Sequence, residues 1–245
     1  MALTALTHTR ATFTDHDLAL FLHTRTDGAE QFRAAQLKVT TSRELVALGR
    51  DEQGRLRYTS REMLALERRL LEHAHTLGRR PAHAVGQGAQ TAARSQAHLS
   101  AEQRAAFEAL VGAGDLKALV GVAGSGKSRL LAATRAAWEA QGYTVKGAAL
   151  SGIAAENLTL AAGIDARTLA SLEWAWQADR DQLTARDVLV IDEAGMVGTR
   201  QLARVLAAAH AARAKVVLVG DPEQLQAIEA GAPFRGIIAD SGVAE

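Results

Sequence analysis

Gly121-Val122-Ala123-Gly124-Ser125-Gly126-Lys127-Ser128 follows the pattern G-x-x-x-x-G-K-[ST], and those residue types at that spacing suit a polyphosphate. Gly121, Gly124 and Gly126 let the backbone curl until several N–H groups, with that of Ser125 among them, face one anion. Lys127 reaches toward the β- and γ-phosphates, and the Ser128 hydroxyl can ligate Mg²⁺. Some 65 residues downstream, Val188-Leu189-Val190-Ile191 ends in two carboxylates, Asp192 and Glu193. Beside a phosphate loop, Asp192 would hold Mg²⁺ directly or through water, and Glu193 would polarise the attacking water. A third apolar run, Val216-Val217-Leu218-Val219, ends in Gly220-Asp221 and then presents Gln224. That amide can donate to a γ-phosphate and accept from water. The chemistry these residues imply is binding and hydrolysis of a nucleoside triphosphate.

Such residues need a scaffold of strands that end where the loops begin. Residues 116–122 read as a buried strand and 129–140 as an Ala- and Leu-rich helix, the strand–loop–helix order that binds phosphate. Further strands are expected at 143–150, 188–192 and 215–220. Alternation of strands and helices from Leu99 onward predicts an α/β fold, a parallel sheet with helices on both faces. Ahead of it, 14–24 reads as a helix capped by Thr14 with apolar Leu18, Leu20 and Phe21, and 28–39 as a second helix. Residues 45–49 and 56–58 flank a glycine-containing turn as a hairpin. Thr59 or Ser60 then caps a longer helix carrying Met63, Leu64, Leu66, Leu70 and Leu71. Two helices and a hairpin resemble a small winged-helix-like α+β unit over 1–78. Residues 79–98 read as a linker, and 99–245 as the nucleotide-binding domain.

Composition narrows the remaining classes. The 245 residues contain no cysteine, which excludes disulfides and thiolate metal sites. His73-x-His75 is read as solvated surface rather than a metal pair. No stretch approaches the roughly 18 apolar residues of a membrane span, and the N-terminus lacks a signal-peptide pattern, so a cytoplasmic protein without membrane insertion is expected. Residues 1–98 carry 14 Lys/Arg against 10 Asp/Glu, and the remainder 14 against 17. A basic front half weakly favours a polyanionic partner. Trp174 and Trp176 suggest base stacking, yet two residues apart on a helix they face different ways, so at least one belongs to the core.

GVAGSGKS, VLVIDEAGMV and VVLVGDPEQLQ resemble motifs I, II and III of superfamily 1 DNA helicases, in the RecD-like and conjugative-relaxase branch. The resemblance implies a RecA-like P-loop NTPase domain and ATP as the nucleotide. Leu99-Ser100-Ala101-Glu102-Gln103 resembles the family's entry motif, which implies that Gln103 reads the adenine edge. Ala149-Leu150-Ser151-Gly152-Ile153-Ala154-Ala155 resembles motif Ia, with Ser151 in place of Thr. Ala166-Arg167-Thr168-Leu169 resembles the next DNA-contacting segment, with Ala170 where RecD-like proteins often carry His. By that resemblance Ser151, Gly152 and Thr168 touch single-stranded DNA. The wording ALSGIAAENL, RTLASLEW and VGDPEQLQAIEAG, together with residues 1–98, is similar to the helicase half of TraA-type conjugative transfer relaxases.

The resemblance implies a 5′→3′ helicase of plasmid conjugation, with relaxosome proteins as partners. Motifs IV to VI and a relaxase segment have no counterpart, so the expectation is a fragment whose second helicase lobe is missing and which does not unwind DNA alone. Two other readings stay open. One is a non-catalytic ATP-gated DNA-binding module or inactive remnant; the other is a different P-loop enzyme such as a small-molecule kinase.

Overall fold

The computed structural model describes residues 2–51, 53–121, 124–221 and 233–240. It opens with α1 (Ala2–Thr9), β1 (Phe13–Thr14), α2 (Asp15–His23) and α3 (Ala29–Thr40), followed by the hairpin β2 (Leu45–Arg50) and β3 (Leu56–Ser60). These strands form an antiparallel sheet in the order β1-β3-β2. Thr14 caps α2 reciprocally: its side chain accepts from the Asp17 N–H, and the Asp17 carboxylate accepts from the Thr14 N–H at 2.9 Å. Phe13, Leu18, Leu22 and Val39 make the core of this unit. Leu20, expected on the apolar face, is 60% exposed. Leu18 and Leu22 stand one turn apart and share a face, whereas Leu20 points away from it.

Ser60 caps α4 (Arg61–Arg79), its hydroxyl accepting from the Met63 N–H at 3.1 Å. There follow α5 (Gln87–Ala97), α6 (Ala101–Val111), β4 (Leu116–Val120), α7 (Lys127–Ala140), β5 (Thr144–Ala149) and α8 (Gly152–Ala162). The remaining elements are β6 (Ala166–Thr168), α9 (Leu169–Gln177), β7 (Asp187–Ile191), a single 3-10 turn (Ala194–Met196), α10 (Thr199–Ala212), β8 (Lys215–Gly220) and α11 (Pro233–Asp240). Strands β4 to β8 form one sheet in the order β4-β8-β7-β5-β6, and every neighbouring pair is parallel. Both faces are covered, as a parallel sheet requires. Val188, Val190, Val217 and Val219 bury against Phe107, Leu131 and Trp138 on one face. The alternate residues Leu189, Ile191, Val216 and Leu218 bury against Leu70, Leu77, Leu202 and Leu206 on the other. This two-residue alternation along β7 and β8 fixes which helices lie on which side. The result is the RecA-like P-loop architecture that the motif order predicts.

Three expectations are corrected. Residues 79–98 are not an irregular linker, because they contain α5, which packs Ala93 into the core beside α7. Past Gly86 and Gly88 the segment is Ala, Gln, Arg, Ser and one Thr, mostly good helix formers. The packing also does not divide at residue 78: α4 sends Leu70, Ala74 and Leu77 into the core of the parallel sheet. Finally, His73 is not solvated surface. Its ring stacks on His210 of α10 at 4.8 Å, and burial, aided by His210, holds its pKa below the ordinary value. The short edge strand β6 was not foreseen, since three residues carry no readable period.

Candidate nucleotide and nucleic-acid site

The phosphate loop leaves the C-terminal end of β4 and enters α7. Gly124 and Gly126 hold φ of +78° and +83°, the left-handed region that side chains disfavour. Gly121 has a different reason to be glycine: a Cβ there would lie 2.9 Å from Ser125 Oγ. A Cβ at Gly126 would collide with the Gln103 amide. The Lys127 ammonium donates to the Gly121 carbonyl at 2.6 Å, which holds it across the loop mouth. Ser128 is exposed in the first turn of α7. Val122 and Ala123 lie outside the described residues.

Gln103 reaches this loop from α6. Its Oε1 accepts from the Ser100 N–H at 3.1 Å, while Ser100 Oγ accepts from the Gln103 N–H at 3.2 Å. This capping box fixes the side chain by its acceptor end and leaves the amide nitrogen to donate to the Ser125 carbonyl at 3.4 Å. Ser100 was not among the expected site residues, although the spacing Ser-x-x-Gln is a legible capping signal.

The two carboxylates follow β7. Asp192 donates its N–H to the Ala148 carbonyl at 2.9 Å, and one of its carboxylate oxygens accepts from the Glu193 N–H at 2.9 Å. Glu193 occupies the left-handed region, φ +54° and ψ +35°, a conformation uncommon for a non-glycine residue and one that redirects its side chain at the strand end. Burial, and secondarily the neighbouring Asp192 charge, raises its pKa above the ordinary glutamate value.

Strand order brings these parts together. Because β8 lies between β4 and β7, its last residues touch both loops. Gly121 donates its N–H to the Gly220 carbonyl at 3.2 Å. On the other side, a Cβ on Gly195 would stand 2.7 Å from the Asp221 carbonyl oxygen. Gly195 thus lets the turn after Glu193 (Ala194–Met196) lie against the end of β8. No local sequence signal exposes this approach, since the partner is 26 residues away. Gln224 lies outside the described residues.

Ser151 and Thr168 occupy the outer half of the same sheet edge. Ser151 Oγ caps α8 by accepting from the Ala154 N–H at 3.1 Å, and Thr168 Oγ1 caps α9 by accepting from the Ser171 N–H at 3.2 Å. Thr168 pairs with Ala149, two residues before Ser151, so both caps sit side by side at the ends of β5 and β6. Gly152 is exposed and a Cβ there would meet nothing. Trp176 is partly buried, donating its indole N–H to the Asp181 carbonyl at 3.1 Å, whereas Trp174 is 64% exposed. Among the described residues no group of three or more His, Asp or Glu is placed to hold a metal, and no helix is long and apolar enough to cross a membrane.

A family model described as an AAA domain matches residues 98–245. The chain is 42% identical to a probable conjugal transfer protein TraA of Sinorhizobium fredii (strain NBRC 101917 / NGR234), over 100% of this chain and 23% of that protein. It is 42% identical to the conjugal transfer protein TraA of Agrobacterium fabrum (strain C58 / ATCC 33970), over 96% of this chain and 22% of the relative. A shorter stretch, 24% of the chain and 11% of the relative, is 44% identical to the RecBCD enzyme subunit RecD of Mycolicibacterium smegmatis (strain ATCC 700084 / mc(2)155). The chain therefore spans less than a quarter of the length of the TraA proteins it matches.

Proposed function

This chain belongs to the AAA domain family, and from that premise we propose that it is the ATP-binding and hydrolysing lobe of a 5′→3′ DNA helicase acting in conjugative plasmid DNA transfer. The observation that carries the reading is the convergence at one sheet edge. The phosphate loop after β4 and the Asp192–Glu193 turn after β7 are both locked to the end of β8. Whole-chain similarity to conjugal transfer proteins and partial similarity to RecD supply the biological context.

The residues present suit ATP with Mg²⁺. A Cβ at Gly121 or Gly126 would crowd the loop, Gly124 holds a positive φ that side chains disfavour, and Lys127 already spans the loop. Ser128 and Asp192 are the residues that would hold Mg²⁺, which would supply positive charge to offset that of the phosphates. Lys127 exchanges its Gly121 carbonyl for phosphate oxygens and stabilises the charge that develops on transfer. Glu193, held beside the site by its left-handed turn, orients water and accepts its proton. Gln103 reads the adenine edge with the amide it now points at Ser125, and Gln224 reports the γ-phosphate to the strand-binding edge. Ser151, Gly152 and Thr168 bind the backbone of single-stranded DNA at the N-termini of α8 and α9. Relaxosome proteins are the proposed partners, in the cytoplasm.

Two substitutions separate binding from chemistry. Glu193→Gln should keep the parent's affinity for a fluorescent ATP analogue while hydrolysis falls by about 10²–10⁴-fold. Lys127→Ala should weaken binding and abolish turnover together. Hydrolysis unaffected by Glu193→Gln would remove the assigned base.

A further inference from the structure

Trp174 has no structural task that its exposure explains. On α9, Leu169, Leu172 and Ala175 are buried, while Ala170, Ser171, Trp174 and Gln177 form the outer face. Large aromatic side chains at 64% exposure are uncommon on a helix whose other face already supplies the core. A helical side chain leans toward the turn before it, here Ala170 and Ser171 on the side of the Thr168 cap, and both of those residues are exposed. Both residues are small, and Trp174 is 64% exposed beside them. Thr168 and Trp174 are six residues apart, about 9 Å along the helix axis.

One neighbour decides what the ring offers. The Arg180 guanidinium lies over the indole at 4.6 Å from its centroid. Among the described residues Arg180 forms no ion pair, whereas the adjacent Asp181 is matched by Arg167 at 3.1 Å. A cation on one face of an aromatic ring adds positive charge beside a flat apolar surface, the combination on which single-strand binders stack bases while attracting the backbone.

We propose that Trp174, backed by Arg180, is a base-stacking platform for the single strand whose backbone crosses Ser151 and Thr168. The inference rests on the strand-binding reading given above and extends it from backbone contacts to a base contact. Stacking tolerates any base, because each presents a π face, so the platform grips the strand without sequence preference. Trp176, tied to Asp181 on the inner side, takes no part.

The test is affinity of the 245-residue chain for an oligothymidine and for an abasic strand of equal length, at one salt concentration, by fluorescence anisotropy. Trp174→Ala should weaken oligothymidine binding roughly 5- to 100-fold and leave abasic binding unchanged. Trp174→Phe should recover most of the loss. ATP-analogue affinity, measured in parallel, should not change in either variant. Equal affinity of Trp174→Ala and parent for oligothymidine would overturn the platform and leave the exposed ring to a protein contact. Equal losses on both strands would also overturn it, assigning Trp174 a structural role. If the parent binds ATP analogue but neither strand, the strand-binding reading itself fails and the platform with it.

Discussion

At the residue scale the site is a set of side chains whose partners set their state. Lys127 and Gln103 both bond to carbonyls of the loop, Gly121 and Ser125, so the proposed nucleotide binding would be an exchange of partners rather than a gain of new ones. Glu193 is raised mainly by burial and then by Asp192. A base with a raised pKa loses its charge earlier on acidification, so the acid limb of the hydrolysis rate should lie above the ordinary 4.5 of glutamate. A pH–rate profile whose acid limb falls at or below that value would contradict the proposed role of Glu193 as the base. Most of these residues were legible, because the phosphate loop and the acid pair are each written in consecutive positions. The contacts of Gly195 with Asp221 and of Gln103 with Ser125 were not, since each joins segments more than 20 residues apart.

At the element scale the strands position the site, and β8 carries a buried charge at its start. Lys215 opens β8 fully buried, its ammonium donating to the Gly112 and Gly114 carbonyls at 3.0 and 2.9 Å. Burial, and then the nearby Lys117 charge, lowers its pKa from 10.5 to about 7. Between those values the unfolded chain holds a proton that the folded chain lacks, so stability rises with pH across that window. Lys215→Met should flatten the rise in Tm between pH 7 and pH 9.5; an unchanged slope would place the titration elsewhere. The β5–β6 edge is equally specific. A Cβ on Gly147 would stand 2.5 Å from that of Ala166, so Gly147→Val should cost about 1–3 kcal/mol in denaturant unfolding. Strands with four or more apolar residues announced themselves in the sequence. The three-residue β6 and the helix α5 did not, the first for want of a period and the second because its flanking glycines read as a break.

At the scale of the whole molecule, α4 joins the front unit to the core of the parallel sheet. Its cap, Ser60, closes the front hairpin, while Leu70, Ala74 and Leu77 belong to the core of the parallel sheet. A chain beginning at residue 59 should therefore unfold cooperatively and bind ATP, whereas one beginning at residue 80 should not fold. Two buried leucines alone are worth about 2–5 kcal/mol each, against a total of about 5–15. Equal stability of the two chains would show α4 to be dispensable. The sequence marked the change of architecture but not where packing divides, because an amphipathic helix does not disclose which sheet it covers. The central claim is that one sheet edge binds nucleotide in its inner half and single-stranded DNA in its outer half. The direct measurement is steady-state ATP hydrolysis by the 245-residue chain with and without oligothymidine, beside Lys127→Ala. The account predicts hydrolysis that the strand accelerates and that Lys127→Ala abolishes. A rate indifferent to the strand, or one that survives Lys127→Ala, would contradict it.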